Sequence, residues 1–276
     1  MPELPEVQTI VNDLIVAALL HARIESVKVD WPRSIAGMLP QEFARRLKGA
    51  RILNIRRRAK YIIFDLGAKN GVLLVHLRMS GRLLLADASG NLNKHEHVSI
   101  AFSDGRELRL HDTRKFARLY LCKIAEEITG DLGPEPLGPD FKLAEFRSML
   151  GSRARMLKPL LLDQRFLAGL GNIYVDEALW EAGLHPCRRA CTLAPAECKR
   201  LFAAIPRVLK RGLRNLGTTL GTGKANFFSI AGRRGGNSTQ LRVFRRTGLA
   251  CPRCREPIER IIVGQRSTHI CRICQL

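Results

Sequence analysis

The chain of 276 residues is long enough for two compact domains, or for one core with a satellite module, and 46% of its residues are hydrophobic. It carries 46 Lys and Arg against 25 Asp and Glu, so its formal net charge is +21 and we expect a polyanionic partner. The sequence contains no apolar run of about 18 residues and no secretory signal pattern. We therefore expect neither a membrane-spanning nor a secreted protein.

The positive charge is concentrated in one segment. Fourteen basic residues and no acidic residue lie between Cys198 and Arg255. A membrane surface could attract such a segment, but neither a lipidation signal nor a strongly basic amphipathic helix accompanies it. Nucleic acid is therefore the favoured partner.

The first half of the chain has the pattern of a β-sandwich preceded by a helix. Apolar residues from Val7 to Leu19 recur at helical spacing and predict an amphipathic helix close to the N-terminus. Short apolar runs then predict strands from about Ile24 to Ile124. Asp104-Gly105 separates two such runs and predicts a hairpin turn.

The second half changes to helical spacing after a segment rich in Pro and Gly. Helices are predicted over 141–150, 156–162, 173–182 and 195–213, and a mobile glycine-rich loop over 217–238. A final strand pair is predicted over 258–263 and 266–270. The predicted fold class is thus α+β, divided into a β-sandwich domain (1–130), a linker (131–140), a helical domain (141–225) and a C-terminal segment (226–276).

The cysteines fall into two groups. Cys251, Cys254, Cys271 and Cys274 form a C-x2-C-x16-C-x2-C pattern, which predicts one structural zinc ion in a tetrahedral thiolate site. Two disulfides are the alternative, but they need an oxidising compartment. The scattered cysteines are interpreted as free thiols: Cys122, Cys187, Cys191 and Cys198.

The N-terminus offers a second chemical feature. A small residue at position 2 favours removal of Met1, which would leave Pro2 with a free secondary amine. An α-amino group titrates near pH 7.7–8.0, so a useful fraction of it is nucleophilic at neutral pH. Glu3 places a carboxyl group suited to acid or base catalysis beside this amine.

A series of motifs covers essentially the whole chain in order and resembles formamidopyrimidine-DNA glycosylase, the bacterial enzyme that removes oxidised purines from DNA. The motifs are Met1-Pro-Glu-Leu-Pro-Glu-Val7, Arg57-Arg-Ala-Lys-Tyr61, His76-Leu-Arg-Met-Ser-Gly81, Lys94-His-Glu-His-Val98, Leu132-Gly-Pro-Glu-Pro-Leu137, Leu161-Leu-Asp-Gln164, Gly169-Leu-Gly-Asn-Ile-Tyr174 and Gln265-Arg-Ser-Thr-His269 with the last cysteine pair. The resemblance implies a helix-two-turn-helix clamp in the helical domain and a zinc-bound β-hairpin at the C-terminal end. It also implies that DNA lies in a basic cleft between the domains.

The resemblance implies a bifunctional glycosylase and abasic-site lyase of base excision repair that excises 8-oxoguanine and formamidopyrimidines. Pro2 would attack C1′ to form a Schiff base, and Glu3 would protonate the sugar ring oxygen. Lys60 would contact a phosphate and transfer protons during elimination. Arg266 would grip a phosphate and assist the second step of β,δ-elimination. On residue type alone, Lys60 could equally end a solvated basic strand, and Arg266 could lie in a solvated turn.

Further DNA contacts follow from the same resemblance. Met79, Arg114 and Phe116 match an intercalating trio that fills the gap left by the extruded base, with Arg114 facing the orphaned partner base. Asn172 would bind a phosphate at a helix N-terminus, although Gly169 to Asn172 alone could be any tight turn. Arg153 and His95 match additional DNA contacts.

Three features depart from the family pattern. Ala117 and Arg255 stand where glycine is common, and the loop from Gly221 through Gly232 differs from that of many relatives. The range of lesions is therefore left open, and an endonuclease VIII-like enzyme for oxidised pyrimidines is the first alternative. A non-enzymatic binder of damaged DNA is the second. We expect a cytoplasmic bacterial monomer, associated with the nucleoid when it binds duplex DNA containing oxidised bases or abasic sites.

Overall fold

The chain folds into two compact units. In the computed structural model, which describes residues 2–87, 93–221 and 227–276, the first unit comprises Met1–Gly130 with Leu216–Gly236, and the second comprises Asp131–Asn215 with Asn237–Leu276. Within the described residues, no helix combines the length and the apolar character that a bilayer crossing requires.

The helices and strands mostly begin and end within two residues of the predicted ones. The helices of the described residues are α1 (Leu4–Val16), α2 (Pro40–Leu47), α3 (Glu126–Thr129), α4 (Leu143–Gly151), α5 (Leu157–Leu162), α6 (Asn172–Ala182) and α7 (Pro195–Arg214). Their strands are β1 (Ile24–Val29), β2 (Ile35–Ala36), β3 (Asn54–Arg58), β4 (Tyr61–Asp65), β5 (Val72–His76), β6 (Arg82–Asp87), β7 (Glu96–Phe102), β8 (Arg106–His111), β9 (Arg118–Cys122), β10 (Glu259–Val263) and β11 (Arg266–Ile270).

The first unit is the predicted β-sandwich. Among the described residues, one sheet has the strand order β1-β7-β8-β6 and the other β2-β9-β5-β4-β3. Alternation along β4 explains the layering: Ile62 and Phe64 lie in the main core, whereas Ile63 lies in a second cluster on the opposite face. The hairpin at Asp104-Gly105 is confirmed, with Gly105 at a φ of +83° between antiparallel β7 and β8.

Helix α1 is anchored on this sandwich, as its apolar spacing predicts. Val7, Ile10, Val11 and Leu14 are buried in the main core, and α1 packs against β3 and β4. Glu6 stabilises the helix start, because its Oε2 accepts the backbone N–H of Glu3 at 2.8 Å. The residues before the helix are therefore part of the packed structure.

The segment 216–236 belongs to the first unit, because two buried carboxylates of α1 hold it. Glu6 Oε1 accepts the Thr218 N–H at 2.7 Å, and Asp13 accepts the Arg233 side chain at 2.5 Å. Gly217 has a φ of +83°, and a Cβ there would lie 2.9 Å from the Glu6 Cγ. The sequence-based division after residue 225 splits this segment, and residues 222–226 of the predicted 217–238 loop lie outside the described residues.

The second unit is helical and includes the segment that we interpreted as a linker. The N–H of Gly133 donates to Gln164 O at 2.9 Å, and that of Ala168 donates to Pro134 O at 3.0 Å. These backbone bonds dock residues 131–140 against the turn after α5. Helix α6 ends as the sequence predicts, with Gly183 in the left-handed conformation at a φ of +70°.

The C-terminal hairpin of β10 and β11 is also confirmed. Its tip is Gly264-Gln265, with φ angles of +55° and +61°, which is the two-residue turn that matches strand twist. A Cβ on Gly264 would lie 2.8 Å from Pro159 Cγ, so glycine also allows the tip to approach α5. Arg266 directly follows this turn.

Candidate active site and DNA interface

The N-terminal residues are buried in front of α1. Pro2 is buried, and Glu3 is 2% exposed at the N-cap of the helix. Arg57 Nε donates to Gln8 Oε1 at 3.0 Å and so ties β3 to the first turns of α1. The structure therefore brings the predicted amine and carboxyl groups onto a rigid helix start instead of a free chain end.

Lys60 lies in the turn between β3 and β4 and is 5% exposed. Its turn is tight, since Ala59 has a φ of +51°. Because α1 packs on both strands that this turn joins, Lys60 lies in the same compact unit as Pro2 and Glu3. A buried lysine is rare in proteins and needs compensating partners, which makes a solvated strand end a poor description of this residue.

His76 is a buried residue of this region to which our sequence analysis assigned no role, although it opens one of the motifs. It pairs across the sheet with Tyr61, and its Nδ1 accepts the N–H of Arg78 at 3.0 Å. Burial, followed by the charges of Arg78 and Lys60, lowers the pKa of His76 to about 3. The ring is therefore neutral and carries its proton on Nε2.

The predicted intercalating residues lie on two loops of the first unit. Met79, between β5 and β6, is 44% exposed, and Phe116, between β8 and β9, is 50% exposed. Arg114 lies beside Phe116, with its guanidinium carbon 5.8 Å from the ring centroid, and its Nε donates to Ser80 Oγ at 3.2 Å. His95 precedes β7 and is half-buried, with its ring 5.7 Å from that of His111.

In the second unit, Asn172 opens α6 and contacts the hairpin. Its Nδ2 donates to Ser267 O at 2.9 Å, next to Arg266, while its buried Oδ1 has no hydrogen-bond partner among the described residues. An amide nitrogen has a second donor, which is the group that a phosphate contact would use. Arg153 is exposed after α4, and Arg266 is exposed at the hairpin tip.

A buried polar network that we did not predict fixes this hairpin. Lys158 and Asp176 have fully buried side chains, and the Lys158 Nζ lies 2.5 Å from Asp176 Oδ1 and 3.0 Å from Ser267 O. Asp176 Oδ2 accepts the backbone N–H of His269 at 2.9 Å. Removing one partner would leave an uncompensated charge, so the pair specifies one position of β11. The sequence signal was the apolar setting of Lys158 and Asp176 on facing helices.

The four cysteines of the C-x2-C pairs meet at one point. Their sulfur atoms all lie within 4.8 Å of one another, with Cys251 and Cys274 3.9 Å apart and Cys254 and Cys271 3.3 Å apart. Tetrahedral zinc–sulfur bonds of ~2.3 Å place sulfurs ~3.8 Å apart, which this arrangement approaches. All four cysteines are free in the structure, which excludes the two disulfides of the alternative interpretation. The other cysteines are free thiols, as expected.

The surroundings of these cysteines favour one thiolate in the absence of a cation. Burial opposes ionisation of Cys251, but the backbone N–H groups of Cys254 and Arg253 and the Trp180 side chain lower its pKa to about 6. Burial and the neighbouring thiols raise the pKa values of Cys271 and Cys274, so a bound cation is needed to hold all four groups as thiolates. The buried Trp180 Nε1 has no conventional partner within the described part of the chain. Arg253 stacks on this indole at 3.9 Å, so the outer layer of the site is ordered by packing.

Three family models match the chain in order. The formamidopyrimidine-DNA glycosylase N-terminal domain matches residues 1–119, the H2TH domain of the same enzyme matches 132–223, and the zinc finger found in FPG and IleRS matches 248–276. This chain belongs to the formamidopyrimidine-DNA glycosylase family. The resemblance seen in the motifs and the zinc-finger assignment are thereby confirmed.

Relatives within the formamidopyrimidine-DNA glycosylase family align along their whole length. The formamidopyrimidine-DNA glycosylase of Protochlamydia amoebophila is 48% identical over 275 residues, covering 100% of this chain and 99% of the relative. A solved complex of a Lactococcus lactis FPG variant with DNA containing Fapy-dG is 33% identical, with a TM-score of 0.91 and 99% of both chains covered. The Thermus thermophilus FPG structure is 37% identical, with a TM-score of 0.88, covering 99% of this chain and 98% of that one.

The departures from the family pattern have different structural consequences. Ala117 is buried, and its Cβ lies close to Gly81, where an added Cβ would be 2.9 Å away. Arg255 directly follows Cys254 at the first Cys-x2-Cys turn of the zinc site and has a φ of +71°, a conformation that costs a non-glycine residue ~1–2 kcal/mol. The third departure includes residues 222–226, which lie outside the described residues.

Removal of zinc tests whether the four cysteines support the hairpin that carries Arg266. Chelation, or the Cys254→Ser substitution, should release zinc and disorder the hairpin that carries Arg266. DNA affinity and base excision should fall together, while the first unit stays folded by circular dichroism. The exposed free thiol Cys187 provides the matched control, since Cys187→Ser should keep both zinc and activity. Full activity after verified zinc loss would show that the site does not support Arg266.

The neutral state of His76 gives a pH prediction. Its pKa is about 3 in the folded chain and near 6.5 in the unfolded chain, so the unfolded state takes up the proton first as the pH falls. The contribution of His76 to the free energy of unfolding should therefore be fully present above pH 6.5. It should decrease by ~1.4 kcal/mol per pH unit between about pH 6 and 4. Urea unfolding at several pH values measures the slope. His76→Gln should flatten it, whereas His21→Gln, at an exposed histidine, should not.

Proposed function

We propose that this protein is a bifunctional DNA glycosylase and abasic-site lyase that excises oxidised purines, 8-oxoguanine and formamidopyrimidines among them. The observation that supports the proposal is the buried Pro2-Glu3 pair at the start of α1, a helix that packs on the two strands whose turn carries the buried Lys60. Solved family members in complexes with DNA containing Fapy-dG or an abasic site support the substrate class.

The first chemical step uses the amine and the neighbouring carboxyl group. The lone pair of Pro2 N attacks C1′, the bond from C1′ to the base breaks, and the base leaves with its bonding electrons and a proton. Glu3 donates a proton to the ring oxygen as the sugar opens, which leaves an iminium between Pro2 N and C1′. Burial of both groups excludes water from this exchange.

Strand cleavage follows from the iminium. It acidifies the protons on C2′, so loss of one proton expels the 3′ phosphate, and a second elimination expels the 5′ phosphate. In this proposal Lys60 transfers protons during the eliminations, and Arg266 assists the second elimination by binding phosphate. Water then hydrolyses the Schiff base and regenerates Pro2.

Phosphate binding positions the damaged strand. His76 would donate its Nε2 proton to a phosphate without carrying a charge itself, since its pKa is about 3. In the second unit, Asn172, Arg153 and Arg266 provide an amide and two guanidinium donors. The two arginines release counterions when they bind phosphate, and all of these contacts contribute to affinity without reading the base sequence.

Met79, Arg114 and Phe116 would fill the gap left by the extruded nucleotide. Met79 and Phe116 are exposed apolar side chains on loops, which suits insertion between bases, and Arg114 would face the orphaned base. This trio favours the purine-specific branch over an endonuclease VIII-like enzyme. Parallel excision assays on duplexes with 8-oxoguanine and with thymine glycol decide between the two. A non-enzymatic binder is disfavoured because Pro2, Glu3 and Lys60 are all present.

We further propose that the protein acts as a monomer in the bacterial cytoplasm and associates with the nucleoid when bound to DNA. Its charge of +21 favours this association.

The Pro2 mechanism predicts that the N-terminus must be free. An N-terminal tag, or retained Met1, converts the amine into an amide with a delocalised lone pair. Such a protein should lose base excision and borohydride trapping but keep phosphate-driven DNA binding. Pro2→Gly should retain partial lyase activity, since a primary amine also forms a Schiff base. Glu3→Gln should impair base excision much more than cleavage of a pre-formed abasic site.

The decisive measurement is borohydride trapping on an 8-oxoguanine duplex, followed by peptide mapping of the attachment site. The control is the same tagged chain after proteolytic release of the tag, with its N-terminus verified by mass. A tagged, mass-verified protein that excises 8-oxoguanine at the untagged rate would contradict the mechanism.

Binding to duplex DNA should weaken steeply with salt. About six phosphate contacts at ~0.9 released counterions each predict a log–log slope near −5. Fluorescence anisotropy between 50 and 200 mM salt, about a fourfold range, measures this slope. Substituting Arg153 by Gln should reduce it by about one contact, and a slope near zero would exclude nucleic acid as the partner.

A further inference from the structure

We propose that Asp112 is a positioning residue for the intercalating side chains and thereby determines how the enzyme discriminates the base opposite the lesion. The inference rests on the proposed function, because it presupposes that Met79, Arg114 and Phe116 enter the duplex. Asp112 follows β8 and is 1% exposed, so it cannot contact DNA itself. It acts through the two loops that it joins.

The Asp112 carboxylate organises the loop between β8 and β9 directly. Its Oδ2 accepts the backbone N–H groups of Phe116 at 2.7 Å and Ala117 at 2.8 Å, and its Oδ1 accepts the N–H of Arg114 at 3.1 Å. An ionised carboxylate is an acceptor at both oxygens, which these donors require. The backbone of both exposed intercalating residues in this loop is therefore attached to one buried group.

The same carboxylate also reaches the loop that carries Met79. Ser80 Oγ donates to Asp112 Oδ1 at 2.5 Å, and this hydroxyl accepts from Arg114 Nε at 3.2 Å. The hydrogen bonds thus run in one direction, from guanidinium to hydroxyl to carboxylate. Holding Nε in this way orients the guanidinium plane and leaves its terminal nitrogens for the partner base.

Backbone strain in both loops indicates that an external group has to hold them. Arg78 precedes Met79 with a φ of +52°, and Lys115 precedes Phe116 with a φ of +60°. Left-handed conformations are unfavourable for such residues and persist where their surroundings over-determine them. The Asp112 backbone is itself fixed, because its N–H donates to His95 O at 2.9 Å and its carbonyl accepts from His97 Nε2 at 2.8 Å.

Asp112 keeps its charge in this buried position. Burial opposes ionisation, but the hydrogen bonds from Ser80 and from the N–H groups of Ala117, Arg114 and Phe116 bring its pKa below the usual value. The acceptor set is therefore intact at neutral pH.

The arrangement has a consequence for specificity. Unstacking the target base costs free energy. Side chains inserted into the gap offset part of this cost by stacking on the neighbouring bases, but only when they are held in the inserted position. Cytosine presents two adjacent acceptors, N3 and O2, to a guanidinium, whereas adenine presents an acceptor and a donor. A guanidinium of fixed orientation prefers cytosine, and a loosely held one discriminates less.

The experiment compares Asp112→Asn and Ser80→Ala with wild type and with Asp65→Asn, an acidic residue of the same sheet domain remote from both loops. In Asp112→Asn an NH2 group replaces one carboxylate oxygen. This group cannot accept the hydrogen bonds of the two donors that point at that oxygen in wild type. Excision of 8-oxoguanine opposite cytosine should fall ~10-fold or more, and the ratio of rates opposite cytosine and adenine should approach one. Cleavage of an abasic site facing a gap, where no stack needs filling, should stay within about twofold of wild type.

Ser80→Ala removes only the link to Arg114, so it should lower the cytosine-to-adenine ratio while thermal unfolding stays close to wild type. This variant decides the question if Asp112→Asn does not fold. Unchanged ratios in folded variants, or an equal loss on all substrates including the gapped one, would overturn the proposal. Failure of the proposed function is distinct, because wild type and Asp65→Asn would then excise nothing.

Discussion

A chain terminus has to be held in place if its amine is to act as a nucleophile. Termini are usually mobile, yet here Pro2 and Glu3 are buried and lead directly into a helix whose apolar face lies in the sandwich core. Glu6 completes the arrangement by accepting the Glu3 N–H with one oxygen and the Thr218 N–H with the other. Pro2, the helix start and Thr218 therefore belong to one packed arrangement.

Buried carboxylates recur as organising groups in a strongly basic protein. Asp112 holds the loops that carry Met79 and Phe116, Asp176 holds the C-terminal hairpin, and Glu177 accepts the N–H groups of Val243 and Phe244. Asp176 and Glu177 accept backbone donors from segments distant in sequence, whereas Asp112 accepts backbone N–H groups from its own loop and the Ser80 hydroxyl from a distant one. Most basic residues of the described chain lie outside the buried set and are available for phosphate binding, while these three buried acids provide internal order.

In the second unit, the hairpin that carries Arg266 is also held in place by groups distant in sequence. Two separate devices hold the hairpin that carries it, the cysteine cluster at its base and the Lys158–Asp176 pair at its centre. A two-stranded hairpin is marginally stable alone, so both supports contribute to the position of the arginine. The strain at Arg255 indicates that metal binding and packing outweigh an unfavourable backbone conformation.

Local patterns determined much of this protein. Helical and alternating periodicity predicted α1, the sandwich strands and the clamp helices, and cysteine spacing predicted the zinc site, because each depends on residues close in sequence. Family motifs also pointed to Pro2, Glu3 and Lys60 as candidate catalytic residues, and all three are buried in the structure. Tertiary structure alone decided that 216–236 joins the first unit, that His76 is neutral, and that Asp112 and Lys158 are buried organisers. Those outcomes depend on long-range hydrogen bonds and on burial, which a linear pattern does not encode.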